Sequence, residues 1–325
     1  HYVPGTSDLM VFAAALFGLH PINTEAVVSW CWGATLAEGL LFLITFLLYI
    51  HYARRPSTGR YLPVAGCFFL TLLARPSVLY LPALLLLFDF WPLNRWRPGG
   101  GSPENGRFAV GTLRKLILEK VPLLVIAGVW MSLILYAIHL MPAFPLLGES
   151  SVKSNWYLFN IPVAYVLFLW STAAPFNMPS YFLDPLNSPF MLPLWQVITA
   201  SLALLLISAA VAKKVGRHPF LVTGWCWFLI SLFPSAFACV RVQKIIMERL
   251  GYLPMIGIFI IVAWGGSLLL RKVRCPGRLS AVAAVLILAA LSIITWSQSR
   301  HWTDRVSYFR HAVALHPDSE KAHSV

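Results

Sequence analysis

Charged side chains are scarce in this chain of 325 residues. They make up 11% of it against 58% hydrophobic residues, and aspartate and glutamate together number only 12. Water-soluble domains devote about a quarter of their residues to charge, so this composition excludes the ordinary globular class. The positive mean hydropathy points the same way. The sequence therefore predicts an all-α, polytopic membrane protein.

Cysteine is also sparse and unpaired in sequence. The five cysteines stand singly and include no C-x-x-C pair or metal-ligand spacing. This pattern indicates small apolar side chains in the interior rather than a disulfide framework or a zinc site. A divalent metal stays an open alternative, although the sequence shows no ligand set for one.

The basic residues do not form a nucleic-acid-binding surface. The formal net charge is +13, yet the lysines and arginines occur in short clusters between apolar runs, without a soluble module that interleaves them with aromatic residues. Short basic clusters between apolar runs are typical of cytoplasmic loops in membrane proteins. The sequence assigns four such clusters to the cytoplasmic side: 54–60, 95–120, 213–217 and 271–278.

Apolar runs long enough for membrane helices recur along the chain, since a crossing needs about 20 residues. The runs lie near 8–20, 36–53, 61–74, 77–90, 121–141, 190–212, 219–240, 250–270 and 279–297. A further run at 157–175 is ambiguous, and the sidedness of its neighbours favours an interfacial or re-entrant segment. The sequence predicts about 9–11 transmembrane or re-entrant helices.

Arg75, followed by Pro76, interrupts the apolar run from Leu62 to Phe88. A guanidinium stays charged in a protein, and a charge at the bilayer centre costs about 3 kcal/mol or more. The basic clusters on both sides of the run must also share the cytoplasmic side. We therefore predict that 61–90 crosses twice as a hairpin with Arg75 at its outer tip, rather than once as a long helix.

This topology places several polar side chains on the outer face. A cluster of two arginines and a lysine suits a phosphate, because guanidinium groups bind phosphate oxygens bidentately and lysine adds a point charge. The candidate lipid-phosphate ligands are Arg75, Arg249 and Lys244. The candidate pocket residues are His20, Glu25, Glu248 and Tyr252.

Four of these residues also have a structural interpretation. His20 could end a helix, and Glu25 could cap the next helix, whose first turn favours negative charge. Arg249 could pair with its neighbour Glu248. Arg75 could extend from the hairpin tip to the lipid headgroups without any ligand.

The end of the chain has the pattern of a helical repeat. Phe309, Ala312 and Pro317 have the spacing of the second helix of a tetratricopeptide (TPR) unit, although an amphipathic juxtamembrane helix is the alternative. We divide the chain into a membrane domain, 1–300, and the start of a TPR region, 301–325. Both ends of the sequence are expected to continue in a longer protein.

Several sequence words occur in an order that identifies a family resemblance. They are FGLHPINTEAV (17–27), LLARPSVLYLPALLLLFDFWPL (72–93), EKVPLL (119–124), PLWQV (193–197), GWCWFLISLFP (224–234) and ERLGYLP (248–254). With the TPR-like end, this order resembles the transmembrane-and-TPR protein O-mannosyltransferases and their bacterial multi-pass TPR-containing relatives. The words span nearly the whole chain.

The resemblance implies a GT-C-like membrane glycosyltransferase. Such an enzyme would move a sugar, mannose in this family, from a polyprenyl-phosphate carrier to a protein hydroxyl on the outer or lumenal face. Its partners would be membrane lipid, the lipid-linked donor and an acceptor protein reached through the TPR region. The resemblance implies a bacterial inner membrane with a periplasmic TPR region, and it places the catalytic aspartate before His1.

The chain departs from the family pattern at the proposed pocket. Asn23 stands where the family has a histidine, and a charged pair of the family falls on Gly33 and Thr35, whereas Arg75 keeps the positive charge at the hairpin tip. The rival interpretation is a non-catalytic membrane scaffold that presents TPR repeats to protein partners. A transporter would need internal inverted repeats, which are not visible.

Overall fold

A computed structural model describes residues 6–28, 33–96, 110–140, 155–175, 192–241, 248–274 and 276–300. Within these ranges the regular elements are helices, which confirms the all-α prediction. The α-helices are α1 (Thr6–Leu19), α2 (Thr24–Val28), α3 (Gly33–Arg54), α4 (Thr58–Ala74), α5 (Leu81–Phe90), α6 (Val110–Leu140), α7 (Ile161–Ala173), α8 (Leu194–Ala212), α9 (Pro219–Arg241), α10 (Met255–Lys272) and α11 (Gly277–Ser299). Short 3-10 helices occupy Pro21–Asn23, Pro76–Tyr80, Asn155–Asn160 and Glu248–Gly251.

Six of the described helices are long and apolar enough to cross a bilayer: α3, α6, α8, α9, α10 and α11. A seventh crossing results if α1 and the segment 21–28 count as one span, bent by 52°. The helices α4, α5 and α7 are shorter than the roughly 20 residues of a full crossing. The described part of the chain is therefore that of an integral membrane protein.

The helices α4 and α5 form the predicted hairpin, with Arg75 at its tip. Arg75 contacts Glu38 near the start of α3, whereas Asp89 at the far end of α5 contacts Tyr49 near the end of α3. Tyr61 in the first turns of α4 packs on Tyr52 of α3. Both helices therefore run antiparallel to each other along α3, and the single long helix is excluded.

The helix α7 has 13 residues, which at 1.5 Å per residue span about 20 Å. This is less than the roughly 30 Å of a hydrocarbon core. The helix packs on α9, where the Tyr165 hydroxyl donates to the carbonyl oxygen of Leu229 at 2.7 Å. The hairpin helix α5 is shorter still, with 10 residues, so the prediction that 157–175 is no simple crossing stays a prediction.

A close crossing of α9 and α10 brings the first half of α9 beside the start of α10. A Cβ atom built on Gly257 would lie 2.3 Å from the carbonyl oxygen of Gly224, so only glycine fits at this contact. The indole N–H of Trp227 donates to the carbonyl oxygen of Leu253 at 3.0 Å, just before α10. Small residues of this kind let membrane helices approach at backbone distance.

A buried ionic cluster ties α3, α5 and α6 together at the end of the bundle opposite Arg75. Asp89, fully buried, accepts hydrogen bonds from Tyr49 at 2.6 and 2.8 Å, from Arg95 at 3.0 Å and from Lys120 at 2.5 Å. Arg95 also binds both carboxylate oxygens of Glu119 at 3.0 Å. The two acids and two bases balance in charge.

The bundle thus has two distinct ends. The break between α1 and α2, the hairpin tip and the segment 248–254 meet at one end, which we call the cleft end. The basic segments next to the last turn of α3, the first turn of α6 and the last turn of α10 lie at the other, which we call the basic end. That the basic end faces the cytoplasm stays a prediction from the positive clusters.

Candidate functional site

A small cleft lies at the cleft end, between the start of α3, the hairpin tip and the turn before α10. Polar side chains line much of it. The lining residues are Thr35, Glu38, Arg75, Ser77, Tyr80, Ser235, Arg249, Leu250, Tyr252, Leu253 and Pro254. The structure therefore brings together three of the predicted residues, Arg75, Arg249 and Tyr252.

The sequence Arg75-Pro76 explains why the hairpin turns at this point. A proline disfavours helical backbone in the residue before it, and Arg75 has extended dihedral angles, φ −156° and ψ 115°. The helix α4 ends there, and Pro76 opens the following 3-10 helix. The arginine side chain is thereby directed across the tip toward α3.

Arg75 is held by one of its three nitrogen donors. Its Nη1 donates to the Thr35 hydroxyl at 3.0 Å and to Glu38 Oε2 at 3.0 Å. Within the part of the chain that the structure describes, these are its only hydrogen bonds, and Nη2 and Nε make none there. The Arg75 side chain is 21% exposed. It can therefore bind an anion in the cleft without losing its protein contacts.

Arg249 reaches the same cleft but is engaged more fully. Its Nη1 donates to Glu25 Oε1 at 2.5 Å, and its backbone N–H donates to Glu25 Oε2 at 3.0 Å. Both side chains are buried. The sequence left open a pair with the adjacent Glu248, whereas the described partner is 224 residues away. Glu25 thus fixes Arg249 in place beside the cleft.

Tyr252 forms an aromatic wall of the cleft. Its ring lies against Gly39, where an added Cβ would approach the ring carbon Cε1 to 2.7 Å, and it packs on Phe17 with ring centroids 4.8 Å apart. Burial and then the nearby Glu38 carboxylate raise the pKa of Tyr252 above its ordinary value. The hydroxyl therefore remains a protonated hydrogen-bond donor at neutral pH.

His20 lies outside the cleft lining and has a structural role. Its Nδ1 accepts from the backbone N–H of Ile22 at 3.2 Å, so Nε2 carries the proton and donates to the carbonyl oxygen of Thr172 at 3.1 Å. The ring is buried and packs on Phe259. Of the two interpretations that the sequence allowed, the helix-end residue is the one that these contacts favour.

The side-chain contacts of two predicted residues, Lys244 and Glu248, lie outside what the structure describes. Lys244 lies outside the described residues, and Glu248 begins the 3-10 helix before Gly251, although its side chain is not described. The proposed TPR start at 301–325 also lies outside the described residues. Among the described side chains, no group of three or more His, Cys, Asp or Glu residues is arranged to hold a metal ion.

Glu38 is a cleft residue that the sequence analysis missed. It lies on α3 one helical turn after Thr35, so the two residues share a face, and both contact Arg75. The family resemblance implies a charged residue at position 35, where this chain has a threonine. Glu38 nevertheless supplies a carboxylate in the cleft. An acidic residue within a membrane helix is by default a candidate for function, and this rule would have identified it.

The fold and the site define a class: a helical membrane protein with a polar, arginine-containing cleft at one end of its bundle. The chain is similar to human protein O-mannosyl-transferase TMTC1, with 24% identity over 97% of this chain and 39% of that protein. It is also similar to mouse protein O-mannosyl-transferase TMTC4, with 25% identity over 99% of this chain and 46% of that protein. Drosophila melanogaster protein O-mannosyl-transferase Tmtc3 is 22% identical over 96% of the chain and 38% of its own length.

The chain thus spans about two fifths of the length of the curated relatives it matches. No family model matches it. No solved structure is significantly similar to it. The similarity to proteins named protein O-mannosyl-transferase agrees with the resemblance found in the sequence words.

Proposed function

We propose that this protein is a membrane glycosyltransferase of GT-C type that uses a polyprenyl-phosphate sugar as donor and a protein hydroxyl as acceptor. Mannose is the proposed sugar, because the relatives are named as mannosyltransferases. The polar cleft is the proposed donor site. Its end of the bundle is proposed to face the outer or lumenal side, since the basic segments lie at the opposite end.

The observation that carries this proposal is the set of hydrogen bonds that Arg75 makes in the cleft. The side chain lies in a membrane protein cleft and is held by Nη1, whereas Nη2 and Nε make no hydrogen bond to the described residues and are proposed to bind the ligand. Two parallel N–H donors of a guanidinium match two oxygens of a phosphate. Arg249 adds a second positive charge at the same cleft.

The N-terminal end of α3 supports the same assignment. Thr35 and Glu38 lie in its first two turns, so the positive end of the helix dipole faces the cleft. Helix N-termini favour phosphate groups for this reason. The sugar would then lie between the phosphate and the aromatic wall formed by Tyr252.

In the proposed reaction, the bond between the anomeric carbon of the sugar and the phosphate oxygen breaks. The polyprenyl phosphate leaves with the electron pair, the acceptor hydroxyl oxygen bonds to the anomeric carbon, and the hydroxyl proton passes to a carboxylate base. Arg75 and Arg249 would stabilise the charge that develops on the leaving phosphate. Fixed donors directed at developing charge are a large source of catalysis.

The test is sugar transfer from labelled polyprenyl-phosphate mannose to acceptor proteins in membranes that contain the protein. We expect Arg75→Gln to lower kcat/KM for the donor by roughly 10- to 100-fold, as for loss of a charge-assisted hydrogen bond. Arg55→Gln, which alters an exposed arginine at the basic end, is the matched control and should leave transfer unchanged.

A second arginine variant strengthens the test. Arg75→Ala combined with Arg249→Ala should abolish measurable transfer, provided that its folding is verified by thermal unfolding. Undiminished transfer by this double variant would contradict the phosphate site. Membranes with no transfer at all, although the protein is folded, would contradict the enzyme proposal itself and favour the scaffold.

A further inference from the structure

Each of the two arginines that line the cleft is paired with a carboxylate. Arg75 pairs with Glu38 and Arg249 pairs with Glu25, so two cations face two carboxylates and their formal charges cancel. A site that only had to retain a phosphate would not need a carboxylate against its most accessible arginine. The two glutamates also differ in how many of their carboxylate oxygens accept hydrogen bonds from protein groups.

Glu38 is the carboxylate that remains open to the cleft. Its Oε2 accepts from Arg75, and within the described part of the chain Oε1 accepts no hydrogen bond. Glu25, in contrast, has both oxygens bound by Arg249 and is absent from the cleft lining. A ligand phosphate on Arg75 would therefore face the negative charge of Glu38.

The donor and the product of the proposed reaction differ in charge. A sugar ester of polyprenyl phosphate is a phosphodiester with one negative charge. Free polyprenyl phosphate is a phosphomonoester, which carries about −1.5 to −2 near pH 7 because its second pKa is about 6. The two ligands share the lipid and differ in the sugar and in the charge of the phosphate, so at the phosphate itself charge is the property by which a site can retain one and release the other.

We propose that Glu38 is a selectivity residue that disfavours the phosphomonoester product relative to the phosphodiester donor and so promotes product release. This inference rests on the proposed function. Both ligands bind Arg75 through the same guanidinium, whereas repulsion from Glu38 acts more strongly on the doubly charged product. Glu38 acts on the bound phosphate through its charge and is not assigned to the general base.

The size of the effect follows from the distance between the charges. A phosphate oxygen bound to Nη2 of Arg75 would be only a few ångströms from Glu38, since Oε2 is 3.0 Å from Nη1. Up to one additional charge at about 6 Å, with an effective dielectric constant of about 20, gives a discrimination of roughly 10- to 100-fold. Loss of the Glu38 charge should remove this discrimination.

The experiment measures the affinities of two probes at pH 8, where the monoester is doubly charged: a short-chain polyprenyl phosphate and its mannosyl phosphodiester. We expect Glu38→Gln to shift the ratio of the two affinities at least tenfold toward the monoester. The matched control is Thr35→Val, which removes the other contact of Arg75 without any change of charge and should leave the ratio as in the wild type. Product inhibition of transfer by polyprenyl phosphate should also be stronger in Glu38→Gln than in the wild type.

The outcomes separate this inference from the function on which it rests. Binding of both probes with the same affinity ratio in Glu38→Gln and wild type overturns the role of Glu38 and leaves the donor site standing. Binding of neither probe to the folded wild-type protein overturns both. If Glu38→Gln is unstable, Glu38→Ser provides a second neutral variant, for which the same ratio shift is expected.

Discussion

The buried ionic cluster at the basic end gives the sharpest prediction about stability. Asp89→Asn keeps the size of the side chain but removes the charge that Lys120 and Arg95 share. Both positive charges then face Glu119 alone, in a region where Asp89 is fully buried and Lys120 nearly so. Removing one partner of a buried ion pair costs about 3–5 kcal/mol, because the remaining charge is left uncompensated.

The measurement is thermal unfolding of the purified protein in detergent. A change of 1 kcal/mol moves the Tm of a large domain by about 2–4 °C, so Asp89→Asn should lower it by roughly 6–20 °C. The matched control is Asp8→Asn, at an exposed aspartate in the first turn of α1. There the change affects only a helix-dipole interaction of about 0.3–1 kcal/mol.

A double variant separates charge balance from simple loss of contacts. Lys120→Met alone leaves an excess negative charge, whereas Asp89→Asn with Lys120→Met restores neutrality. The double variant should therefore be destabilised by clearly less than the sum of the two single variants, with a coupling of about 0.5–3 kcal/mol. Additive losses, or a Tm change in Asp89→Asn no larger than in the Asp8 control, would refute this reasoning.

The remaining predictions concern packing and sidedness. Gly257→Ala should lower the free energy of unfolding by about 1–3 kcal/mol, because its Cβ would meet a carbonyl oxygen of α9. Gly266→Ala, with open space around it, should leave the free energy of unfolding unchanged. Thermal unfolding distinguishes the two variants. Gly39→Ala should displace the Tyr252 ring into the cleft and weaken donor binding severalfold in a titration, again relative to Gly266→Ala; equal affinities would contradict the aromatic wall. Ser57→Cys, at an exposed position of the basic end and in a cysteine-free background, should not be labelled by a membrane-impermeant thiol reagent added outside the cell, because the basic end is proposed to face the cytoplasm. Rapid labelling would contradict the proposed orientation.

The hairpin was predictable from sequence because it depends on charge, which the sequence displays directly. Basic clusters on both sides of 61–90 required an even number of crossings, and Arg75-Pro76 was the one place where a turn removes a charge from the bilayer centre. The contacts of Arg75 and Asp89 with opposite ends of α3 confirm it. The sharing of one cleft by Arg75 and Arg249 followed from the same parity.

Which charged side chains pair with each other was harder to predict from the sequence. Glu25 and Arg249 are 224 residues apart, and a single sequence does not show which carboxylate faces which guanidinium. The sequence offered Glu248 as a partner because it is adjacent. Glu38 and Asp89 were missed for a different reason: each is a single charge inside an apolar run, and its partner lies elsewhere in the chain. Lys120 was assigned to the basic cluster 95–120, but its pairing with Asp89 was not predicted.

The central claim, that the cleft binds the phosphate of a lipid carrier, is tested most directly by photo-cross-linking. A polyprenyl phosphate with a photoreactive group next to the phosphate is bound to the protein, and the modified peptides are identified by mass spectrometry. The account predicts adducts within 75–80 and 249–254, suppressed by unlabelled polyprenyl phosphate and reduced in Arg75→Gln. Adducts confined to α11, which buries no side chain in the bundle, with none in the cleft, would contradict it.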